Sequence, residues 1–328
     1  MKRAPDRRPV LCDKILAQGI VPYGSRLLVG VSGGADSMAL LHLLYALRHD
    51  LALDIIVVHY DHALRPGSAG DRRFVEKISA GLGLACLSER NRAKCPRGIS
   101  VEDFARARRF DFFIRMAGKA RADGVALAHT RDDLAETVLM RILRGTGLSG
   151  LRGIMPRRMI SGVLFLRPML EVTRAEVEGF LAGIKVEHRE DPTNEADAFL
   201  RNRIRHELIP YIARKFAPAV KEKLAELGLS AASDYDLMEV LLQKALRRTL
   251  RPGARSVKII IKAWKACPQP IRRMVLRSAV ERITQVQGAL PYRHALLLER
   301  AAMASKCCRI PLSCGVEAII SDKFITLS

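Results

Sequence analysis

The sequence predicts an α/β fold: a doubly wound, mainly parallel sheet followed by a smaller, mostly helical C-terminal domain. Three observations predict it. Short apolar runs bounded by turn residues alternate with stretches of helical periodicity through the first two thirds of the chain. A glycine-bearing loop directly follows the first apolar run, at the strand end where open α/β sheets bind ligands. Beyond residue 215 long stretches carry apolar residues every three or four positions.

Taken in order, residues 26–31 (RLLVGV) form a buried strand, and residues 38–47 a helix. Residues 53–59 (LDIIVVH) form the second strand, 71–82 a helix and 84–88 a weak strand. Residues 101–120 form a long amphipathic helix dense in arginine, 124–129 (GVALAH) a strand, 134–143 a helix and 163–167 a strand. The helix of residues 173–182 opens on Thr173 with Glu176 three positions on, a capping box. Strands alternating with helices make βαβ units and hence a parallel sheet. Residues 224–250, 270–284 and 294–304 read as helices, and short alternating stretches at 316–320 and 324–327 close the chain. A length of 328 residues suits two domains. They are expected at 1–214, a catalytic domain, and 215–328, a mainly helical one.

No stretch approaches the roughly 18 consecutive apolar residues of a membrane span. The basic N-terminus leads into a segment too short and too polar for a secretory core. A cytoplasmic protein without a membrane partner is expected. The seven cysteines are irregularly spaced and contain no C-x-x-C, which supports neither a zinc site nor a disulfide framework. The formal net charge of +21 points to a polyanionic partner. From Lys215 onward there are 20 Lys and Arg against 9 Asp and Glu, and before it 35 against 25, so both halves are basic. A solvated basic surface without a partner is the alternative on charge alone.

Ser32-Gly33-Gly34-Ala35-Asp36-Ser37 carries the chemistry. Adjacent glycines let the backbone turn sharply and approach a ligand. Successive N–H groups and the following helix N-terminus then favour anionic oxygens. Ser32 and Ser37 add hydroxyl donors, and Asp36 fits a phosphate site if it holds Mg²⁺. Neither G-x-x-x-x-G-K-[ST] nor G-x-G-x-x-G is present. Asp133 and Glu136 lie three apart at a helix start and share a face. On spacing alone they are equally well explained as acids favoured by the helix dipole.

The hexapeptide resembles the PP-loop of the N-type ATP pyrophosphatases, and further segments resemble the tRNA(Ile)-lysidine synthetases within that group. His59-Tyr-Asp-His62-Ala-Leu-Arg65 resembles V-D-H-x-L-R, and Ala105-Arg106-Ala-Arg-Arg109-Phe110 resembles A-R-x-x-R-Y with Phe110 for Tyr. Leu127-Ala-His129-Thr-Arg-Asp-Asp133-Leu-Ala-Glu136-Thr resembles L-A-H-H-x-D-D-Q-A-E-T, with Thr130 for the second His and Leu134 for Gln. Further stretches are similar to R-P-L-L at 167–170, to D-P-[ST]-N at 191–194 and to R-N-x-[IV]-R at 201–205. The likeness covers about residues 24–210.

The resemblance implies a ligase that forms a C–N bond. ATP, L-lysine and the wobble cytidine of an isoleucine tRNA with a CAU anticodon would give lysidine, AMP and pyrophosphate. It implies ATP binding at Ser32, Gly33, Gly34, Ala35, Asp36 and Ser37, with Mg²⁺ on Asp36. It gives catalytic roles to Asp36, Arg109 and His129 and lysine binding to Asp133 and Glu136. Arg65, Arg106, Arg203 and Arg205 are candidate phosphate or tRNA contacts, and a homodimer is left open. The other readings are a PP-loop tRNA thiolase of the 2-thiocytidine type and a non-catalytic tRNA-binding protein. Thiolases near this branch carry C-x-x-C pairs and commonly Lys in the loop, where this chain has Ala35.

Overall fold

A computed structural model describes residues 9–63, 67–189, 200–286, 288–305, 307–312 and 315–328. The chain divides into two units, Met1–Ala232 and Ser233–Ser328.

In the first unit the chain runs α1 (Val10–Ala17), β1 (Arg26–Gly30), α2 (Ala35–Ala46), β2 (Asp54–Asp61), α3 (Ser68–Gly81), β3 (Ala85–Arg90) and α4 (Val101–Ala120). It continues through β4 (Gly124–Ala126), α5 (Arg131–Leu143), α6 (Leu148–Leu151), β5 (Arg157–Ile160), β6 (Val163–Leu166) and α7 (Arg174–Ile184). α8 (Leu200–Arg203), a π-helical turn (Ile204–Leu208), α9 (Ile209–Lys215) and the start of α10 (Val220–Thr249) complete it.

The six strands lie in the order β3-β2-β1-β4-β6-β5. All pairs are parallel except β5 with β6. Strand order reverses between β1 and β4, which makes the crevice at their carboxyl ends the place for a ligand. β1 shows why the sheet is buried on both faces. Leu27 and Val29 join one apolar cluster with Met38, Leu41 and Val177, while Leu28 joins another with Val58, Phe112 and Phe165. α2 is consequently apolar almost all round, with Met38 through Leu41, Leu43 and Leu44 fully buried.

The predicted helix of residues 101–120 has those bounds, opened by Ser100 accepting from Asp103 N. The capping box at Thr173 is present, with Thr173 N donating to Glu176 Oε2 at 2.7 Å and Glu176 N to Thr173 Oγ1 at 3.2 Å. The expected strand at 124–129 stops at Ala126. Leu127 N still bonds Leu166 O, and then Thr130 leaves the sheet to cap α5. The antiparallel edge strand β5 and the helix α1 have no counterpart in the sequence reading.

The second unit contains the remainder of α10, then β7 (Leu250–Pro252), β8 (Val257–Ile260), α11 (Ile261–Lys265), α12 (Gln269–Thr284) and α13 (Tyr292–Met303). β9 (Cys308–Pro311), β10 (Glu317–Ile320) and β11 (Phe324–Leu327) follow. It is not simply helical: an antiparallel sheet in the order β7-β8-β11-β10-β9 packs with α12 and α13 around the fully buried Trp264. The alternating stretches expected at 316–320 and 324–327 are β10 and β11, whereas β7, β8 and β9, three or four residues long, are too short to stand out against three long helical patterns.

The division at Ala232 falls inside α10, not at the expected residue 214. The first turns of α10 belong to the first unit because Leu224, Ala225 and Leu229 pack against Leu134, Val138 and Leu170. Tyr235, Met238 and Leu242 belong to the core around Trp264. Among the described residues no helix is long and apolar enough to cross a membrane.

Gly124 opens β4, and a Cβ there would stand 2.8 Å from the backbone oxygen of Leu164 on β6. Gly124→Ala therefore forces two parallel strands apart. It is expected to cost about 1–3 kcal/mol, read as a lowered thermal unfolding midpoint. An unchanged midpoint would mean that the strand edge yields freely.

Candidate active site

The loop between β1 and α2 is held by its own serines. Ser37 Oγ donates to Gly34 O at 2.8 Å and accepts from Ser32 N at 3.1 Å, while Gly34 N donates to Ser32 Oγ at 3.3 Å. Gly33 adopts φ +96°, a conformation that side-chain-bearing residues rarely take. The backbone after α7 crosses this loop: Arg189 N donates to Gly33 O at 2.9 Å, and its guanidinium reaches Asp71 of α3 at 3.0 Å.

Asp36 stands in the first turn of α2. Its Oδ2 accepts from Arg174 Nη1 at 2.7 Å, whereas Oδ1 is buried without a partner among the described residues. Burial raises its pKa to about 6; the charge of Asp133 adds to the rise and Arg174 opposes it. Arg174 is fixed in turn by Glu178 at 2.9 Å and by its own N–H to Asp132 Oδ2 at 2.9 Å. A cleft of about 450 Å³ opens there, lined by Arg131, Asp132, Thr173, Arg174, Glu178 and Lys221 among others.

Across the switch point, the Leu127–Thr130 turn carries His129 to the edge of the sheet. Its Nδ1 is buried without a partner among the described residues. Burial lowers its pKa, helped by Arg167 and Arg109 and opposed by Asp133, so the ring is neutral. Thr130 N-caps α5, its side chain accepting from Asp133 N at 3.4 Å, while Asp133 Oδ2 accepts from Thr130 N at 2.9 Å. The threonine in place of the second histidine thus has a structural task. Phe110, in place of tyrosine, packs on Phe165 with ring centroids 5.0 Å apart.

Asp133 and Glu136 share a face of α5, as their spacing requires, and both meet arginines. Asp133 Oδ1 accepts from Arg201 Nη2 at 3.0 Å and Arg205 Nη2 at 3.3 Å. Glu136, 2 % exposed, accepts from Arg201 Nε at 2.9 Å and from Arg205 Nε at 2.6 Å. Burial works to raise the pKa of Asp133, but Arg201, the Thr130 N–H and Arg205 together hold it below the usual carboxylate value. Arg201 and Arg205 lie four apart across the π-helical turn and so point the same way, anchored by the buried Ile204 between them.

The other expected site residues divide. Arg109 is drawn into the site: burial, then Arg106 and Arg201, push its guanidinium down to about 10, and its Nε has no partner among the described residues. Arg106 lies over the ring of Phe110 at 5.3 Å. Arg205, expected as a phosphate or tRNA contact, pairs with Glu136 and Asp133. Arg203 points elsewhere and pairs with Glu207 at 3.9 Å on the exposed face. Arg65 and the 191–194 segment lie outside the described residues. Sequence reasoning missed Arg174, Arg189 and the pairing of Arg201. The i,i+4 spacing of Arg201 and Arg205 was a usable signal; Arg174 and Arg189 had none.

An anion-binding loop and a ring of acids and arginines, facing each other at the switch point of a doubly wound sheet, define a nucleotide-binding α/β protein. Residues 12–212 match the PP-loop domain family, and the chain belongs to it. It is 35% identical over 291 residues to the tRNA(Ile)-lysidine synthase of Geobacter sulfurreducens, covering 87% of this chain and 61% of that one. It is 39% identical over 260 residues to that of Solibacter usitatus, covering 79% and 57%. The chain thus spans about six tenths of the length of these curated relatives. A solved U34-tRNA thiolase of Methanococcus maripaludis shares the fold, with a TM-score of 0.57 at 14% identity over 66% of this chain and 75% of that one.

A histidine kept neutral by burial has a stability signature. Below the ordinary histidine pKa of 6.5 the unfolded chain takes up a proton at His129 and the folded chain does not. Stability therefore falls as pH drops through that value. His129→Gln is expected to shallow the fall in unfolding midpoint between about pH 7.5 and 5. Parallel curves for the two proteins would show that the ring is protonated in the fold.

Proposed function

We propose that this protein joins L-lysine to C2 of the wobble cytidine of the CAU isoleucine tRNA at the expense of ATP. The observation that carries the reading is the placing of Asp133 and Glu136 across the switch point from the PP-loop, in a chain 35% identical to a lysidine synthase.

The N–H groups of Ser32 to Ser37 and the start of α2 bind the leaving pyrophosphate. Asp36 fits a magnesium ligand, since its Oδ1 is buried and unpartnered. Mg²⁺ bound there would neutralise phosphate charge. The cytidine C2 oxygen attacks the α-phosphorus, and the bond to pyrophosphate breaks. The lysine ε-amine then attacks C2, the C–O bond breaks, AMP departs and the amine gives up a proton. Arg109 stabilises the developing phosphate charge. Neutral His129 contacts the nucleotide or the activated base through an imidazole that carries no charge to repel an amine.

Asp133 and Glu136 take the lysine. Two guanidiniums already meet them, which supports a site that demands positive charge, and a lysine ammonium would exchange for part of that pairing. They hold mainly the α-ammonium, because carboxylates beside the ε-amine would raise its pKa above the usual value of about 10.4 and keep it from attacking. Loss of one charge-assisted bond, as in Asp133→Asn, should raise the lysine requirement about 10–100-fold with ATP binding nearly unchanged. Equal loss of ATP binding would sink this assignment.

The reaction itself is read by mass spectrometry of an unmodified transcript incubated with the protein, ATP, Mg²⁺ and lysine. The wobble cytidine should gain the mass of one lysine less one water. Sulfur gained in the presence of a sulfur donor would indicate a thiolase. Binding of transcript without ATP–pyrophosphate exchange would indicate a binding protein.

A further inference from the structure

Two groups of arginines stand out in the first unit. Arg174, Arg201 and Arg205 meet carboxylates, and their pKa values are raised in spite of burial. A second group has its values lowered. Burial, then Arg158 and Arg106, bring Arg167 down to about 10. Burial, then Arg158, Arg152 and Arg106, lower Arg141. Partial burial, then Arg201 and Arg158, lower Arg106, against a smaller opposing pull from Glu102 and Asp103.

The fold explains why these side chains converge. Phe110 of α4 packs on Phe165 of β6, which brings Arg106 and Arg109 to that strand. Arg158 of β5 is paired in register with Phe165. Arg167 follows the last residue of β6, is 4 % exposed and donates through Nη1 to Met155 O at 2.9 Å. Arg141 of α5 donates to Gly150 O at 2.7 Å, and Arg152 donates to Ser149 O at 3.0 Å. These carbonyls satisfy donors but supply no countercharge. Among the described residues, Arg106, Arg109, Arg141 and Arg167 have no ion-pair partner within 4.0 Å, and Nε of Arg109 and of Arg167 is buried without an acceptor. Holding the guanidiniums of Arg106, Arg109, Arg141 and Arg167 together without a paired carboxylate forfeits stability unless an anion arrives.

We propose that Arg106, Arg141, Arg152, Arg158 and Arg167 form a seat for the phosphodiester groups flanking the base that enters the site, with Arg109 at its border with the reacting phosphate. The guanidinium fork matches phosphate oxygens in pairs. The basin lies on the β4-β6-β5 side of His129, whereas the PP-loop lies on the β1 side with α2, so the two phosphate sites are separate. Arg109 and Arg167 both act on the His129 ring, so the basin begins where the base would sit. The inference rests on the reading of the substrate as a tRNA.

The test is the binding of unmodified isoleucine tRNA transcript over a range of salt, with Arg141→Gln/Arg158→Gln beside wild type and Arg141→Lys/Arg158→Lys. Two lost single-strand phosphate contacts should reduce the slope of log K against log[salt] by about 1.4. The lysine pair should keep most of the slope and report that the fold is intact. ATP binding should be equal in all three. An unchanged slope in a glutamine variant that melts like wild type overturns the proposal. So does a loss of ATP binding with no change of slope, which would assign the basin to the nucleotide. A slope difference between wild type and the glutamine variant, with a wild type that adds no lysine, would fail the proposed reaction and leave the basin standing. A wild type that binds no transcript would overturn both.

Discussion

Asp133 joins two parts of the structure through one carboxylate. Oδ2 closes the capping box that starts α5, and Oδ1 receives Arg201 and Arg205 from a segment about seventy residues later. The chain after β4 must leave the sheet at Ala126 so that Thr130 can serve as the cap, and this turn presents His129 at the switch point. The same carboxylate sets the charge around it. It adds to the raised pKa of Asp36 on the opposite side of the crevice and opposes the lowered one of His129. Any change of partner at Asp133 is therefore felt by both halves of the site, because low-dielectric surroundings leave such charges poorly screened.

Arginine serves this domain in opposite ways. Where it meets Asp36, Asp133 or Glu136 it neutralises acids that would repel a triphosphate. Where Arg106, Arg109, Arg141 and Arg167 gather, no carboxylate among the described residues pairs with them. Both arrangements come from one composition, rich in arginine and short of acids, and only the fold separates them. A net charge of +21 indicates a polyanion but not which arginines would touch it.

Much of the architecture was legible from local chemistry. The apolar run into Ser32–Ser37, the capping box at Thr173 and the arginine-rich helix depend on residues within a turn or two of one another, and such signals survive folding. β5 was hidden because its sequence, RRMI, is half arginine and lies at the sheet edge with only one face covered. The pairing of Asp133 and Glu136 with Arg201 and Arg205 was hidden for a different reason: it spans sequence separations of 65 to 72 residues. Spacing predicted that Asp133 and Glu136 shared a face but not which side chains that face would meet. Arg174 looked like an ordinary first-turn residue of a capped helix, and its contact with Asp36 spans 138 residues.

The helix α10 carries periodicity unbroken from Val220 to Thr249, and so conceals that its early turns and its later ones serve different cores. This bears on how the PP-loop domain can be excised. A fragment ended at residue 214 would strip Leu224, Ala225 and Leu229 from the apolar surface of Leu134 and Val138. Those two residues lie on the helix that displays Asp133 and Glu136. A shortened gene product meant to isolate the nucleotide chemistry has to keep the chain through Ala232, or it would bare a greasy patch directly behind the acids.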